Sequence, residues 1–277
     1  MKKILITGAL GQLGKSLRNH LSSNFKSYFF SREKLDINDL DSLSERLQSI
    51  NPDIIINCAA MTNVDNCEIN SGKAYDVNAY AISNFKNNFN GTFIQLSTDF
   101  VFDGENGPYH ENDLPNPINN YGLSKLEGEK IVKNLFKKHC IIRTNTLFSN
   151  SSDASFLSWV VNSLNQNKKI NVVNDQISNP ISVDDLSIAI NDFIDSERYG
   201  IFHLGSDTLC SRFEFAHMIA NYYNLNENLI FPISSEELYK TNPNYIAKRP
   251  LKSGLMTVHR FVQKISLTNS IINSKKD

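Results

Sequence analysis

The sequence predicts an α/β fold in which a doubly wound parallel sheet carries a smaller mixed α/β lobe. Short apolar strands alternate with helical stretches through the first half of the chain, and strands that recur in β-α order build a parallel sheet with helices on both faces. A glycine-rich segment, ILITGALGQLG, follows the first strand and begins the first helix. Beyond about residue 150 the alternation loosens without a repeat or a linker. These observations predict a Rossmann-type domain with a second lobe packed against it.

The elements of the first half are five strands, each bounded by turn residues, with helical patterns between them. The strands are predicted at residues 4–6, 28–30, 53–57, 92–97 and 140–144. The helices are predicted at residues 12–21, 40–48, 73–84 and 124–136.

The second half is predicted to contribute to both parts of the molecule. Its elements are a helix at 156–164, a strand at 170–173, a helix from Val183, a strand at 201–204 and a helix whose start, Ser211 to Glu214, reads as a capping box. We predict a dinucleotide-binding domain of residues 1–150 plus about 180–207, and a substrate-binding lobe of about 151–179 plus 208–277. The polar residues 266–277 are expected to fray.

Composition excludes several classes of function. The 277 residues are 40% hydrophobic, enough for a full core, and carry a net charge of −1, which offers no footprint for nucleic acid or an anionic membrane. The first apolar run is broken by glycines well short of a signal or membrane segment, so we expect a cytoplasmic protein. Its four cysteines lack the spacing of a disulfide framework or a zinc site, and no metal is predicted.

The glycine-rich turn predicts a phosphate-binding site. Its glycines allow the backbone to approach a ligand closely, and the following helix start offers free N–H groups and a positive dipole end. An ordinary glycine-rich turn is the alternative, but the place between strand and helix favours a pyrophosphate. The residues predicted to bind the dinucleotide are Gly8, Gly11, Gln12, Leu13 and Gly14.

The segment after the second strand indicates which dinucleotide is bound. It reads FSRE and lacks the acidic residue that usually holds a ribose 2′-hydroxyl. Arg32 could pair with a 2′-phosphate, which favours NADPH and leaves NADH as the alternative, although a solvated surface arginine beside Glu33 is nearly as good an interpretation. Ser31, Arg32, Asp36 and Ile37 are predicted to contact the cofactor, while an Asp in a loop is also a common turn former.

The candidate catalytic residues are Tyr121, Lys125 and Thr98. Tyr121 and Lys125 lie four residues apart in YGLSKLEGEK, so a helix places them on one face, where the ammonium should make the phenol a better acid. Reduction of a ketone needs a hydride at carbon and a proton at oxygen. Tyr121 would donate the proton, Lys125 would hold the cofactor ribose, and Thr98 in LSTDFVFDG would bond the ketone oxygen. Tyr121 and Lys125 are both predicted to contact the cofactor.

Seven ordered segments make the chain resemble the extended short-chain dehydrogenases/reductases, most closely the dTDP-4-dehydrorhamnose reductase family. The segments are ITGALGQLG, PDIIINCAAMTNVDNCE, LSTDFVFDG, YGLSKLEGEK, IIRTNTLF, VVNDQISNP and AKRPLKSGLMT. The resemblance covers nearly the whole chain. It implies an NAD(P)H-dependent reductase of the 4-keto group of a nucleotide-linked deoxysugar, in the synthesis of surface polysaccharide precursors.

The resemblance also implies roles for individual residues. It makes Thr98, Tyr121 and Lys125 the catalytic set, with cofactor contacts at Ala60, Met61 and Thr62 and substrate contacts at Thr98 and Asp99. Phe100 stands where related 4,6-dehydratases carry a catalytic glutamate, which favours simple reduction.

Two positions bear on the substrate. Thr146 stands where the family typically has a tryptophan against the sugar, so the identity of the sugar is open. Arg249, in KRP, could neutralise a nucleotide diphosphate, with a surface basic pair as the alternative.

Two other functions stay open at the level of sequence. An epimerase-reductase would act on the same kind of nucleotide sugar. A non-catalytic cofactor-binding subunit, the role that this fold serves in a methionine adenosyltransferase complex, should have lost Tyr121 or Lys125, and both are present. Of the possible assemblies, a homodimer is the one that we expect to test.

Overall fold

A computed structural model of the chain describes residues 1–150, 155–260 and 262–275. Its strands are β1 (Lys3–Thr7), β2 (Lys26–Phe29), β3 (Ile54–Asn57), β4 (Thr92–Thr98), β5 (His139–Thr144), β6 (Leu147–Phe148), β7 (Ile170–Val173), β8 (Ile177–Ser178), β9 (Ile181–Ser182), β10 (Gly200–Leu204), β11 (Cys210–Ser211) and β12 (Ile230–Ile233). Its α-helices are α1 (Gln12–His20), α2 (Leu40–Ile50), α3 (Val64–Ile69), α4 (Ser71–Asn78), α5 (Asn120–Leu135), α6 (Phe156–Asn165), α7 (Val183–Asp195), α8 (Arg212–Tyr223), α9 (Ser235–Thr241) and α10 (Leu267–Asn273). Short 3₁₀ segments lie at Tyr80–Asn88, Asp99–Val101 and Glu227–Leu229.

The central sheet has six parallel strands in the order β10-β5-β4-β3-β1-β2, which confirms the predicted fold class. Successive residues of β1 face opposite layers: Ile4 and Ile6 pack into one core, and Leu5 packs into the other. Both faces are therefore buried, as the continuous apolar strands require. The strand order reverses between β1 and β3, so the carboxyl ends of these two strands border the crevice where such sheets bind ligands, and β4 lies next to β3.

The second lobe has its own core and a two-stranded parallel pair, β7 with β12. The helix α8 begins with the predicted capping box, because the Ser211 and Glu214 side chains each bond the other residue's backbone N–H. The helix α7 and strand β10 return to the first domain, where β10 pairs with β5. The exact domain boundaries stay a prediction.

Two local predictions were wrong. The helix expected at 73–84 ends at Asn78, where Ala79 leaves the helical conformation with a φ of −129°, and a 3₁₀ segment follows. Helix α5 packs against the backbone there, because a Cβ at Gly128 would lie 2.3 Å from the Asn78 carbonyl oxygen. The tail expected to fray forms α10 from residue 267, since Leu267 and Ile271 are fully buried in the core of the second lobe.

No helix within residues 1–150, 155–260 and 262–275 is long and apolar enough to span a membrane. The same ranges contain no group of three or more His, Cys, Asp or Glu side chains placed to hold a metal ion.

Candidate functional site

The glycine-rich turn between β1 and α1 is shaped by close backbone contacts. Gly8 has a φ of +64°, and a Cβ there would lie 2.7 Å from the carbonyl group of Cys58. A Cβ at Gly14 would lie 2.6 Å from the Gly8 carbonyl oxygen. No side chain caps the start of α1 at Gly11, so the first N–H groups of this helix remain for a ligand.

A first groove of about 580 Å³ lies beside this turn. Eight of the predicted cofactor residues line it: Gly8, Gly11, Ser31, Arg32, Asp36, Ile37, Ala60 and Met61. The other predicted cofactor residues are not among its lining residues: Gln12, Leu13, Gly14, Thr62, Tyr121 and Lys125. The Leu13 side chain packs into the core below the sheet. Lys73, from α4, adds a cation to the groove that the sequence did not predict.

Arg32 is held at the edge of this groove by Asp36. Its Nε donates to Asp36 Oδ2 at 3.2 Å, while 69% of the side chain remains exposed. The backbone N–H of Asn38 bonds Asp36 and is the main cause that holds the pKa of this carboxyl below its usual value. A fixed carboxylate therefore orients a guanidinium that is still open to an anion.

The three candidate catalytic residues meet at the carboxyl end of β4. Thr98 ends that strand, and the Tyr121 phenol lies beside the Thr98 hydroxyl. Helix α5 begins close to this segment, because Gly122 has only hydrogen where a Cβ would lie 2.0 Å from the Phe100 carbonyl oxygen. One turn later, the buried Lys125 Nζ donates to the Leu96 carbonyl at 2.5 Å.

The pKa values of this cluster differ from the sequence expectation. The acidifying effect of Lys125 on the phenol stays a prediction, and the net pKa of Tyr121 is raised by burial, against the lowering effect of the Thr98 hydroxyl. The reason is that desolvation of the phenolate outweighs the charge effects. Burial also lowers the pKa of Lys125 to about 8, opposed by Glu129. Tyr121 is thus a protonated donor at neutral pH. Lys125, one helical turn away, has a pKa of about 8, which lies just above neutral pH.

Asp99, a predicted substrate contact, is buried in this structure. Its Oδ1 accepts the Thr98 hydroxyl at 3.0 Å, and its Oδ2 accepts the Ser253 hydroxyl at 2.5 Å. Burial raises the pKa of Asp99 to about 6. In the chain as described it orients Thr98, and its contact with a substrate stays a prediction.

A second groove of about 260 Å³ lies where the two lobes meet near Tyr121. Its walls include Phe100, Phe156, Trp159, Gln176, Arg212, Tyr245 and Arg249. The ring of Phe100 meets the ring of Tyr121 edge-on, with 5.7 Å between centroids, which connects this groove to the catalytic cluster.

Two arginines bring positive charge to the second groove. Arg249 is bonded by both Asp65 carboxylate oxygens, and its guanidinium lies 3.9 Å from the Tyr245 ring centroid. Arg212 lies 5.5 Å from the Phe156 ring, and burial lowers its pKa. The sequence predicted Arg249 but missed Arg212 and Trp159, because Arg212 reads there only as the residue after a helix cap. Thr146 lines neither groove; its carbonyl accepts the Ile181 N–H at 3.1 Å.

Asn78 is a further residue that sequence reasoning missed. Its Oδ1 accepts the Met61 N–H at 2.8 Å, and its Nδ2 donates to the Met61 carbonyl and to Ser124 Oγ. The Asn78 amide therefore links the segment after β3, at Met61, to α5, at Ser124, through hydrogen bonds. An Asn at the end of a helix gives no such signal in sequence.

A buried ion pair lies one turn beyond Lys125. Arg143 donates to both carboxylate oxygens of Glu129, at 2.9 and 2.7 Å, and both side chains are almost fully buried. Ser97 donates to the same carboxylate at 2.5 Å. The pair joins α5, β4 and β5 directly behind the catalytic cluster.

Comparison with known proteins identifies the family of the chain. Residues 1–268 match the family model described as the RmlD substrate binding domain. The chain belongs to this family. It is 32% identical over 272 residues to the spore coat polysaccharide biosynthesis protein SpsK of Bacillus subtilis, covering 96% of this chain and 93% of that protein. It is 33% identical to the dTDP-4-dehydrorhamnose reductase of Aggregatibacter actinomycetemcomitans, covering 92% and 90%.

A solved structure resembles the whole chain. The crystal structure of dTDP-4-dehydrorhamnose reductase from Bacillus anthracis in complex with NADP superposes with a TM-score of 0.93 at 35% sequence identity, covering 100% of this chain and 99% of that one. These findings confirm the resemblance drawn from the seven sequence segments.

Proposed function

We propose that the protein is an NADPH-dependent reductase of the 4-keto group of a nucleotide-linked deoxysugar, working in the synthesis of surface polysaccharide precursors. The observation that carries the proposal is the meeting of Thr98, Tyr121 and Lys125 between the two grooves. The names of the two relatives, and the NADP in the similar structure, support the same reaction and cofactor.

The residues of the first groove fit a dinucleotide. The close contacts at Gly8 leave space only for hydrogen, and the uncapped start of α1 faces the turn. When bound, a reduced nicotinamide supplies the hydride that reaches the carbonyl carbon. Arg32 favours a 2′-phosphate, so NADPH is the proposed cofactor and NADH the weaker one.

The chain's own residues supply the other half of the reaction. The Thr98 hydroxyl, which donates to Asp99 Oδ1 in this structure, would turn its proton from Asp99 to the carbonyl oxygen of the keto-sugar. Tyr121 would transfer its phenolic proton to that oxygen as negative charge develops there. Lys125, as an ammonium, would favour the phenolate that remains. Phe100, the neighbour of Asp99, carries no acid or base for elimination of water.

The second groove is the proposed place of the nucleotide sugar. Arg249 and Arg212 would neutralise its diphosphate, and Trp159, whose side chain is partly exposed, offers a flat surface to the base or sugar. Thr146 and Asp99 stay predicted substrate contacts. The proposed location is the cytoplasm, and a homodimer is the assembly to test by sedimentation.

The decisive experiment measures NADPH oxidation with dTDP-, UDP-, GDP- and CDP-linked 4-keto-6-deoxysugars, comparing the native chain with Tyr121→Phe. We expect turnover with at least one of these sugars. Loss of the proton donor should lower kcat by roughly 10²- to 10⁴-fold with little change in NADPH affinity. Equal turnover by both proteins would assign the proton to another group.

The alternatives give different results in the same assay. An epimerase-reductase would place solvent deuterium on the carbon next to the reduced one. A regulatory subunit would bind NADPH and oxidise none of it across the panel.

A further inference from the structure

A row of three buried polar side chains crosses the sheet from the glycine-rich turn towards α5. Thr7, Asn57 and Gln95 lie side by side in register on β1, β3 and β4. The Thr7 hydroxyl donates to Asn57 Oδ1 at 2.6 Å, and Asn57 Nδ2 donates to Gln95 Oε1 at 2.8 Å. We call these three residues the polar row.

The row ends on the carbonyl that also holds the candidate catalytic lysine. Gln95 Nε2 donates to the Leu96 carbonyl oxygen at 2.9 Å, and Lys125 Nζ donates to the same oxygen at 2.5 Å. At its other end, Thr7 Oγ1 accepts the N–H of Ala59 at 3.2 Å, next to the segment that lines the first groove. Hydrogen bonds therefore connect the wall of the first groove to Lys125 without a gap.

The position of the row is unusual for the interior of a sheet. Two residues earlier on the same face, Leu5, Ile55 and Phe93 form a completely buried apolar row. Thr7, Asn57 and Gln95 are at most 2% exposed, and burying two amides is unfavourable unless all their groups are bonded. Because the Thr7 hydroxyl occupies Asn57 Oδ1, the amide of Asn57 can face Gln95 only with its NH₂ group. Gln95 must then present its own NH₂ group to Leu96.

We propose that Gln95 is a positioning residue for Lys125, and that the polar row orients the Leu96 carbonyl that holds the ammonium. The inference rests on the proposed function, because it takes Lys125 to contact the cofactor. If the polar row served only to bond its own buried amide groups, replacing Gln95 would change neither the affinity for NADPH nor the pH dependence of binding.

Two substitutions separate these cases. Gln95→Leu removes the donor to Leu96 at similar volume. Gln95→Glu still accepts from Asn57 and as a carboxylate also loses the donor to Leu96, but it brings a negative charge near the ammonium, which should favour its charged form. The other titratable groups that act on Lys125 are Glu129 on α5 and the thiols of Cys58 and Cys67, and all of them stay in place.

The experiment measures NADPH binding to the full chain by calorimetry from pH 6 to 10. For Gln95→Leu we expect roughly 3- to 10-fold weaker binding at neutral pH, the value of one hydrogen bond. For Gln95→Glu we expect the alkaline loss of binding to move to higher pH by about one unit. The control is Ser187→Ala, which removes a buried hydroxyl that donates to Ser16 Oγ at 2.8 Å between α7 and α1.

Each result of this experiment either supports or overturns the positioning role of Gln95. Unchanged affinity and pH dependence in the folded Gln95 variants, or the same changes in Ser187→Ala, would overturn it. If Gln95→Leu fails to fold, the pH profile of Gln95→Glu decides alone, and if both fail to fold, the row is structural. Failure of every keto-sugar to react would refute the proposed substrate but leave the binding result valid, whereas a native chain that does not bind NADPH would overturn both proposals.

Discussion

The two grooves of this molecule are built in different ways. One wall of the first is formed by backbone, with Gly8 in close contact with the segment after β3 and the start of α1 left uncapped. The second is walled by side chains from distant segments, among them Phe100, Trp159, Arg212 and Arg249. The shape of a wall made of backbone depends on local conformation, which a short sequence motif such as the glycine-rich turn can specify. The shape of a groove walled by side chains depends on which distant segments pack together. Substitutions in the first groove should therefore change NADPH binding, and substitutions in the second should change nucleotide-sugar binding.

The broadest effect, on stability as well as on binding, is expected from Gly8→Ala in the first groove. Alanine would have to adopt a φ of +64° with its Cβ 2.7 Å from Cys58, so we expect a loss of about 1–3 kcal/mol in the free energy of unfolding. NADPH binding should weaken by roughly tenfold or more because the turn must move. Gly72→Ala in α4 is the control, since nothing lies within 4 Å of its Cβ. Urea unfolding and calorimetry measure both effects, and equal behaviour of the two variants would contradict the backbone origin of this groove.

Arg249→Leu tests the second groove. Loss of a charged partner for the diphosphate should raise the KM for the nucleotide sugar by roughly 10- to 100-fold and weaken dTDP binding equally. NADPH affinity should not change. Lys248→Leu removes the neighbouring exposed cation and serves as the control. A parallel loss of NADPH affinity in Arg249→Leu would show that the two grooves do not act separately.

The pH dependence of the native protein should also separate the grooves. Lys125, with a pKa lowered to about 8 by burial, loses its proton as pH rises through that value. Burial lowers the pKa of Arg249, but the hydrogen bonds that it donates to Asp65, together with the charge effects of Tyr245 and Asp65, outweigh burial and raise the pKa, so its charge persists. NADPH binding should therefore fall by up to about tenfold per pH unit above 8, while dTDP binding stays constant to pH 10. Loss of both together would argue against Lys125 as the group that titrates.

The smallest effect is expected from Arg32→Ser, because its guanidinium is mostly exposed. We expect the preference for NADPH over NADH to fall by roughly 3- to 10-fold. Lys34→Ser, a nearby exposed cation, is the control. Steady-state kinetics with both cofactors measure the ratio, and an unchanged ratio in Arg32→Ser would shift the recognition of the 2′-phosphate to Lys73.

Sequence reasoning succeeded where a short segment encodes its own geometry. The alternation of strands and helices predicted the parallel sheet, and the turn from Gly8 to Gly14 has the close backbone contacts that its glycines indicated. It failed where contacts between distant segments determine where a helix forms or ends. The tail at 267–273 is helical because two apolar residues find a core, and the helix before Ala79 ends where a buried amide serves other segments.

The sequence by itself determined the fold class, the glycine-rich turn and the spacing of the candidate catalytic residues, because these depend on local periodicity, backbone conformation and spacing along one helix. Only the tertiary structure decided the raised pKa of Tyr121, the walls of the second groove and the polar row that reaches Lys125. Burial and hydrogen-bond partners come from segments far apart in the chain, and no pattern within any one of them specifies which others it will meet.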